Sequence, residues 1–486
     1  MLKFLKKETN LTYTENGALT HSSTGSCCLD LFFGAGAMRN AEEKRIAQAV
    51  IEAYTENPSK TMKIIFYARD ARGGLGERKF FRTAMKTLSK FAPDAVKRNI
   101  PFFAEYGRFD DLFILLGTKC EKEAVSEIQK QFNADINAMQ KNEPVSLLAK
   151  WLPSVNASSA ETKALGKTMA KFLNMSEKKY RQTLSALRKY TDIIENRLRV
   201  SDYTFDYSKQ PSCAMFKYRK AFIRNDNTRY TNYLQSVQKG NAKLNTSVLY
   251  PYEIVRRCED RKTDEEKMSL DTTWNSLPVY ADNNENAIAV IDGSGSMTWG
   301  YSDVRPIDVA LSLGIYFAEH NKGKFANHFI TFSKTPRLVE IKGRDIFEKV
   351  NYCRRFNEVA NTNLEAVFNL ILNTAVKNKL PQTEMPSKIY IISDMEFDCC
   401  IEGGNSTPLF NAMQKKYENY GYKLPDVIFW NVNSRQSNMP VTMSETGAAL
   451  ISGFSPVVFD MAVSGEVTPL KVMENVISSE RYAKIV

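Results

Sequence analysis

The stretch AIAVIDGSGSMTWG, residues 287–300, decides how the second half of the chain is read. Five consecutive apolar residues, Ala287 to Ile291, predict a strand covered on both faces, as in a parallel sheet. The run then breaks at Asp292 into Gly293, Ser294, Gly295 and Ser296. Glycine and serine suit a tight turn, which is one reading of the break. Asp292, Ser294 and Ser296 also alternate, so three side-chain oxygens can converge on one point. Hard divalent cations take oxygen ligands, and magnesium takes few protein ligands and several waters, so a cation site is the other reading.

Working outward, the pattern after this strand alternates. Helices are predicted over 304–320, 363–379 and 408–419, with strands over 325–333, 387–394, 426–433 and 456–460. Such alternation predicts an α/β, doubly wound, mostly parallel sheet. Ligands of such sheets bind at the carboxyl ends of strands, at a topological switch point. Asp394 ends the strand IYIISD as Asp292 ends AIAVI, and Thr362 precedes a predicted helix. Asp394 reads alternatively as a helix N-cap. Glu396 and Asp398 read as solvated loop carboxylates or as acids behind the site.

Together, Asp292, Ser294, Ser296, Thr362 and Asp394 resemble the metal-ion-dependent adhesion site of von Willebrand factor type A domains, a Rossmann-like fold. The resemblance implies Mg2+, or another divalent cation such as Mn2+ or Ca2+. It implies that the first three residues reach the cation directly and the last two directly or through water. An open position would take a carboxylate from a partner protein. The stretch Ala360-Asn361-Thr362-Asn363 departs from the family, which usually has glycines before its threonine.

The first half differs in charge and periodicity. Residues 1–270 carry 46 Lys and Arg against 31 Asp and Glu, a net +15, whereas residues 271–486 carry 20 against 24, a net −4. That asymmetry points to an anionic partner for the first half, most simply nucleic acid, or else to a solvated lysine-rich surface. Helices are predicted over 42–57, 77–91, 123–140, 177–199 and 227–240. Tyr180, Leu184, Leu187, Ile194 and Leu198 form one apolar stripe of an amphipathic helix. Successive helix pairs suit an α-solenoid. The polar, poorly periodic residues 260–286 mark the transition, giving a basic helical domain over 1–275 and the type A domain over 276–486.

Two motifs carry the basic chemistry. RDARGGLGERK gathers Arg69, Arg72, Arg78 and Lys79 around three glycines. Glycine-turn amides and guanidinium forks can hold phosphates, although the spacing is not that of a P-loop. A helix–helix turn is the alternative, with Arg78 paired to Glu77 or Asp70. MFKYRKAFIRND interleaves Lys217, Arg219, Lys220 and Arg224 with Phe216, Tyr218 and Phe222. Bases stack on aromatic rings while cations meet phosphates; as an amphipathic helix the same segment would bury Phe216 and Phe222. In EYGRFDDL an internal salt bridge of Arg108 with Asp110 or Asp111 is expected.

Several stretches occur in an order that resembles a family in which a Ro-like (TROVE-type) helical region precedes a type A domain. They are TENGALTHSSTGSCCLDLFFGAGAMR (14–39), FYARDARGGLGERKFFR (66–82), FFAEYGRFDDLF (102–113), LLAKWLPS (147–154), PSCAMFKYRKAFIRND (211–226) and ISDMEFD (392–398). The resemblance extends more distantly to the Ro autoantigen. It implies a HEAT-like α-solenoid, open or closed into a ring, that binds small structured RNA or single-stranded RNA ends, as in a ribonucleoprotein.

Composition excludes other classes. No run of 18 apolar residues is present, so no membrane span is expected, and the basic N-terminus lacks a long apolar segment. A cytoplasmic, reducing environment fits the eight scattered cysteines, which include no CxxC pair. Three histidines and no placed general base argue for a non-enzymatic protein. The alternatives are a protein–protein adaptor using the cation site and, further off, a metal-dependent hydrolase.

Overall fold

The computed structural model describes residues 1, 9–280, 286–298, 304–357, 363–398, 408–461 and 467–486. A short hairpin, β1 (Leu11–Tyr13) and β2 (Leu19–His21), comes first. From Cys27 to Asn275 every regular element among the described residues is a helix. The helix Arg78–Phe91 buries Phe80, Phe81, Ala84, Met85 and Leu88, the three-and-four spacing of one face. The helix Glu177–Tyr190 starts at Ser176, whose hydroxyl accepts from the Lys179 amide, and buries Tyr180, Leu184 and Leu187.

That helix stops short of the predicted 177–199. Asp192 adopts a left-handed φ of 44°, and a separate helix, Ile194–Arg199, follows. The polar transition is itself partly helical, over Asp264–Asn275. A capping box between Thr263 and Glu266 starts it, and it buries Leu270 and Trp274 beside Ser269, Thr272 and Thr273. Small hydroxyl residues on the buried face hid its apolar stripe.

The second half is built on a sheet of β3 (Ala287–Asp292), β4 (His328–Phe332), β5 (Leu338–Glu340), β6 (Lys388–Ser393), β7 (Asp426–Asn431) and β8 (Ala448–Ser452). Their order is β5-β4-β3-β6-β7-β8, and only β5 is antiparallel. The expected strand at 456–460 is instead a 3₁₀ helix, Pro456–Met461; the last parallel strand is β8. The chain thus joins a helical region to an α/β region on a parallel-dominant sheet.

The sheet is covered on both faces. Ile288, Val290, Ile389, Ile391, Val427 and Phe429 pack with the helices Leu364–Asn378 and Leu409–Asn419. Ala289, Ile291, Tyr390, Ile392, Ile428 and Trp430 face the helix Pro306–His320. This second layer is continuous with the core of the helical region, through Leu31, Phe66, Phe81 and Phe103 to Trp430 and Phe459. Where the helix Cys27–Ala35 meets the edge of β8, a Cβ on Gly36 would lie 2.6 Å from the Gly453 Cα, so the backbones touch directly. The strand order reverses between β3 and β6, which brings the end of each to one point.

Candidate functional site

The switch point brings together four of the five residues expected at a cation site. Asp292 ends β3 fully buried; its Oδ1 accepts from the Ser294 amide at 2.9 Å and its Oδ2 from the Ser393 hydroxyl at 2.5 Å. The Ser294 and Ser296 hydroxyl oxygens lie 3.0 Å apart. Asp394, just past β6, is also buried and bonds to Ser296. Met395 follows with φ of 67°, a costly left-handed turn that this loop retains. Thr362 lies outside the described residues. The structure therefore brings Asp292, Ser294, Ser296 and Asp394 together.

Two buried carboxylates side by side form an unbalanced charge. Burial, with Asp394 beside it, pushes Asp292 well above the ordinary carboxylate range; burial also raises Asp394, against the pull of Arg435. Arg435 Nη2 lies 3.1 Å from Asp394 Oδ2 as an ion pair, and among the described residues that buried oxygen accepts no hydrogen bond. Two buried carboxylates, one of them with the oxygen left without a hydrogen bond, and two hydroxyls are oxygen donors of the kind hard divalent cations take, so the residues present are compatible with one.

The helical half covers this loop. The β1–β2 hairpin lays the Thr14 hydroxyl on the Phe397 carbonyl at 2.5 Å, the Glu15 amide on Glu396 Oε2 at 2.7 Å, and the Asn16 amide group on the Glu396 carbonyl at 2.7 Å. Glu396 is accordingly buried, not a solvated loop acid, and burial raises its pKa. Arg45, from the helix Glu43–Glu56, donates to the carbonyls of Ser434, Arg435 and Gln436, and Arg435 in turn pairs with Glu15 at 2.7 Å.

The basic residues separate into three groups. Arg69, Arg78 and Lys79 line one cavity with Arg39, Glu77 and Arg108. Lys217 and Arg219 line a second with Phe216, Tyr252, Arg256 and Arg257. Arg72, Lys220 and Arg224 line neither: Arg72 donates to the Glu105 carbonyl at 3.1 Å, Lys220 pairs with Glu266 at 3.3 Å, and Arg224 is exposed. Arg219 is buried, stacked 4.4 Å from the Phe216 ring and bonded to the Phe216 carbonyl; Phe222 is core. The Arg69–Lys79 segment does link two helices, but Glu77 pairs with Arg39 and Asp70 with Arg481, which leaves Arg78 without either. Arg108 pairs with Asp110 at 2.7 Å, as expected, and lies 3.9 Å over the Trp151 ring.

A bridge joins the two cavities. Arg39, on the wall of the first, donates to the Tyr252 hydroxyl at 3.3 Å, and Tyr252 is a wall of the second. Tyr250 bonds to the Leu75 carbonyl, and a Cβ on Gly76, whose φ is +68°, would sit 2.1 Å from the Tyr250 hydroxyl. The cavity beside the glycine turn and the cavity beside the second basic motif are therefore linked through Arg39 and Tyr252.

A model of the domain of unknown function DUF2828 matches residues 14–134 and 126–283, over half of the chain. The chain belongs to the DUF2828 family. A second model, of the domain of unknown function DUF7788, matches residues 286–481 and so takes in the switch point. The uncharacterized protein L728 of Acanthamoeba polyphaga mimivirus is 29% identical over 488 residues, 92% of this chain and 83% of its own length. In this DUF2828 chain, Arg39, Arg45, Arg256, Arg257 and Arg435 escaped the sequence reading. Arg39 closes the quoted stretch 14–39 and Arg256-Arg257 are adjacent cations in a basic half, but no motif of basic residues surrounds Arg45 or Arg435.

Proposed function

We propose that this chain is a non-enzymatic RNA-binding protein, with the RNA on its basic helical region and a divalent-cation site in its α/β region. The observation that supports the reading is that two basic cavities, one beside each motif, are linked by the Arg39–Tyr252 hydrogen bond. Lys217, Arg256 and Arg257 supply cations there, with Tyr252 and Phe216 between them, the mixture of phosphate contacts and stacking surfaces that single strands use. In this reading the helical region is a Ro-like solenoid, open or closed into a ring, and the α/β region a von Willebrand factor type A domain. Asp292, Ser294, Ser296 and Asp394 would hold the cation, Mg2+ by preference, with Thr362 as the fifth ligand. A bound cation would offer an acidic side chain a coordination position.

The test begins with protein purified from its native cells. Bound nucleic acid is stripped and sequenced, and the isolation is repeated with Lys217→Glu, Arg256→Glu and Arg257→Glu combined. Discrete RNAs that are lost in the variant support the reading. Their affinity should fall steeply with salt, because each phosphate contact releases counterions. If no RNA exceeds background while proteins co-purify in a Mg2+-dependent way, RNA binding is refuted, and an adaptor working through Asp292, Ser294 and Ser296 replaces it.

A further inference from the structure

The first basic cavity is more specific than a positive surface. It measures about 500 Å³, within the range of small-molecule sites. Arg69 is only 4% exposed, yet of its guanidinium only Nε is committed, to Asp111 at 2.7 Å. Among the described residues its two Nη nitrogens have no acceptor. Arg78 has neither a hydrogen bond nor an ion pair among them. Arg108 spends Nε and Nη2 on Asp110, which leaves Nη1 without an acceptor among the described residues. Arg39 is fully used, by Glu77 and Tyr252, and Lys79 by the Ala41 carbonyl at 2.7 Å.

Charge is in excess here even after the internal pairs are counted. Six cations, Arg39, Arg69, Arg78, Lys79, Arg82 and Arg108, stand with three carboxylates, Glu77, Asp110 and Asp111, a surplus of three. Arg78 stays charged, and partial desolvation and the neighbouring Arg108 and Arg82 disfavour its cation. One phosphodiester brings a single negative charge. A phosphate monoester brings about −1.5 to −2 and three terminal oxygens, which guanidinium forks match in pairs.

We propose that the cavity lined by Arg69, Arg78 and Arg108 is a binding site for a phosphate monoester, carried by the end of an RNA strand or by a nucleoside monophosphate. The RNA source rests on the function proposed above; the nucleotide source does not. The cavity is large enough for the ester and the sugar that bears it. Trp151, under Arg108, holds that guanidinium in place.

Full-length protein is titrated with short oligoadenylates bearing a 5′-phosphate, a 3′-phosphate or neither, and by calorimetry with AMP and adenosine. A terminal phosphate should tighten binding about tenfold or more, the worth of one charge-assisted hydrogen bond. Arg78→Gln, at an exposed and unpaired residue, should abolish that preference without weakening the unphosphorylated strand comparably. Arg69→Lys, which keeps the charge but loses the fork, should reduce it. Preference for phosphorylated RNA supports the site with RNA as source. An Arg78-dependent preference for AMP over adenosine, without RNA binding, supports it with a nucleotide as source and refutes RNA binding. Equal binding of all three oligoadenylates, with AMP no better than adenosine, overturns the proposal and leaves RNA binding standing. Binding of none of these probes overturns both.

Discussion

Asp111→Asn isolates the buried charge that anchors Arg69 beside the basic cavity. Asp111 is fully buried and accepts from Arg69 Nε at 2.7 Å, Arg82 Nε at 2.6 Å and the Arg108 amide at 3.0 Å. The asparagine has the same shape, but its amide nitrogen would face one of the guanidinium donors. Arg82 keeps Asp110 at 2.8 Å, whereas Arg69 is left buried with no counter-charge in contact. Breaking a buried pair in this way costs about 3–5 kcal/mol. The unfolding entropy is about 2.1 cal/mol/K per residue, so 486 residues melting together give about 1 kcal/mol/K and a fall in Tm of roughly 3–5 °C. Melting as one unit is expected because a single apolar core joins the two halves. The assay is scanning calorimetry of wild type, Asp111→Asn and the exposed control Asp94→Asn, which should not move. A larger fall confined to one of two transitions would show that the helical region melts alone. A fall of under about 1 °C would refute the claim that this pair is dry and structural.

Gly76→Ala should destabilise by about 1–2 kcal/mol, read by the same calorimetry, since its φ of +68° disfavours a Cβ that would also strike the Tyr250 hydroxyl. Mg2+ or Mn2+ should raise the Tm of the wild type and not of Asp292→Asn, and chelation should reverse the gain; equal shifts in both proteins would exclude the β3–β6 site. The pH dependence follows from burial, which raises Asp292, Asp394, Glu396 and Glu253 above the usual carboxylate range near ~4. Between that range and neutrality the native state keeps protons that the unfolded chain has released, so stability of the chelated protein should fall as pH rises from about 5 to 7. Added Mg2+ should flatten that slope; thermal melts that show no slope without metal would contradict the burial of these acids.

What could be read from the sequence was local. The strands ending at Asp292 and Asp394 announce themselves by apolar runs broken at an acid, and the helix Arg78–Phe91 by its spacing. The last strand lies at Ala448–Ser452, whereas the sequence pattern places it at 456–460, which is a 3₁₀ segment. AALIS and PVVFD are both short apolar runs, and periodicity cannot tell a buried strand from another buried turn over five residues. Contacts between distant segments left no trace. Nothing near Glu15 shows that its amide will cap Glu396, and nothing near Arg45 shows that it will hold the 434–436 carbonyls. Those bonds form because the helix Cys27–Ala35 docks on β8, where Gly36 and Gly453 let two backbones touch, and that docking swings the β1–β2 hairpin over the Asp394 loop. A buried acid is tolerable only with such partners, so Glu396 is a loop residue by pattern and a core residue by assembly. The basic tract follows the same logic: Arg39 becomes part of it by stacking 4.1 Å over Phe454 from the α/β half while pairing with Glu77 and reaching Tyr252. Each candidate site draws its own residues from one half and is buttressed from the other, which is why the sequence of one half shows the residues but not the contacts that hold them.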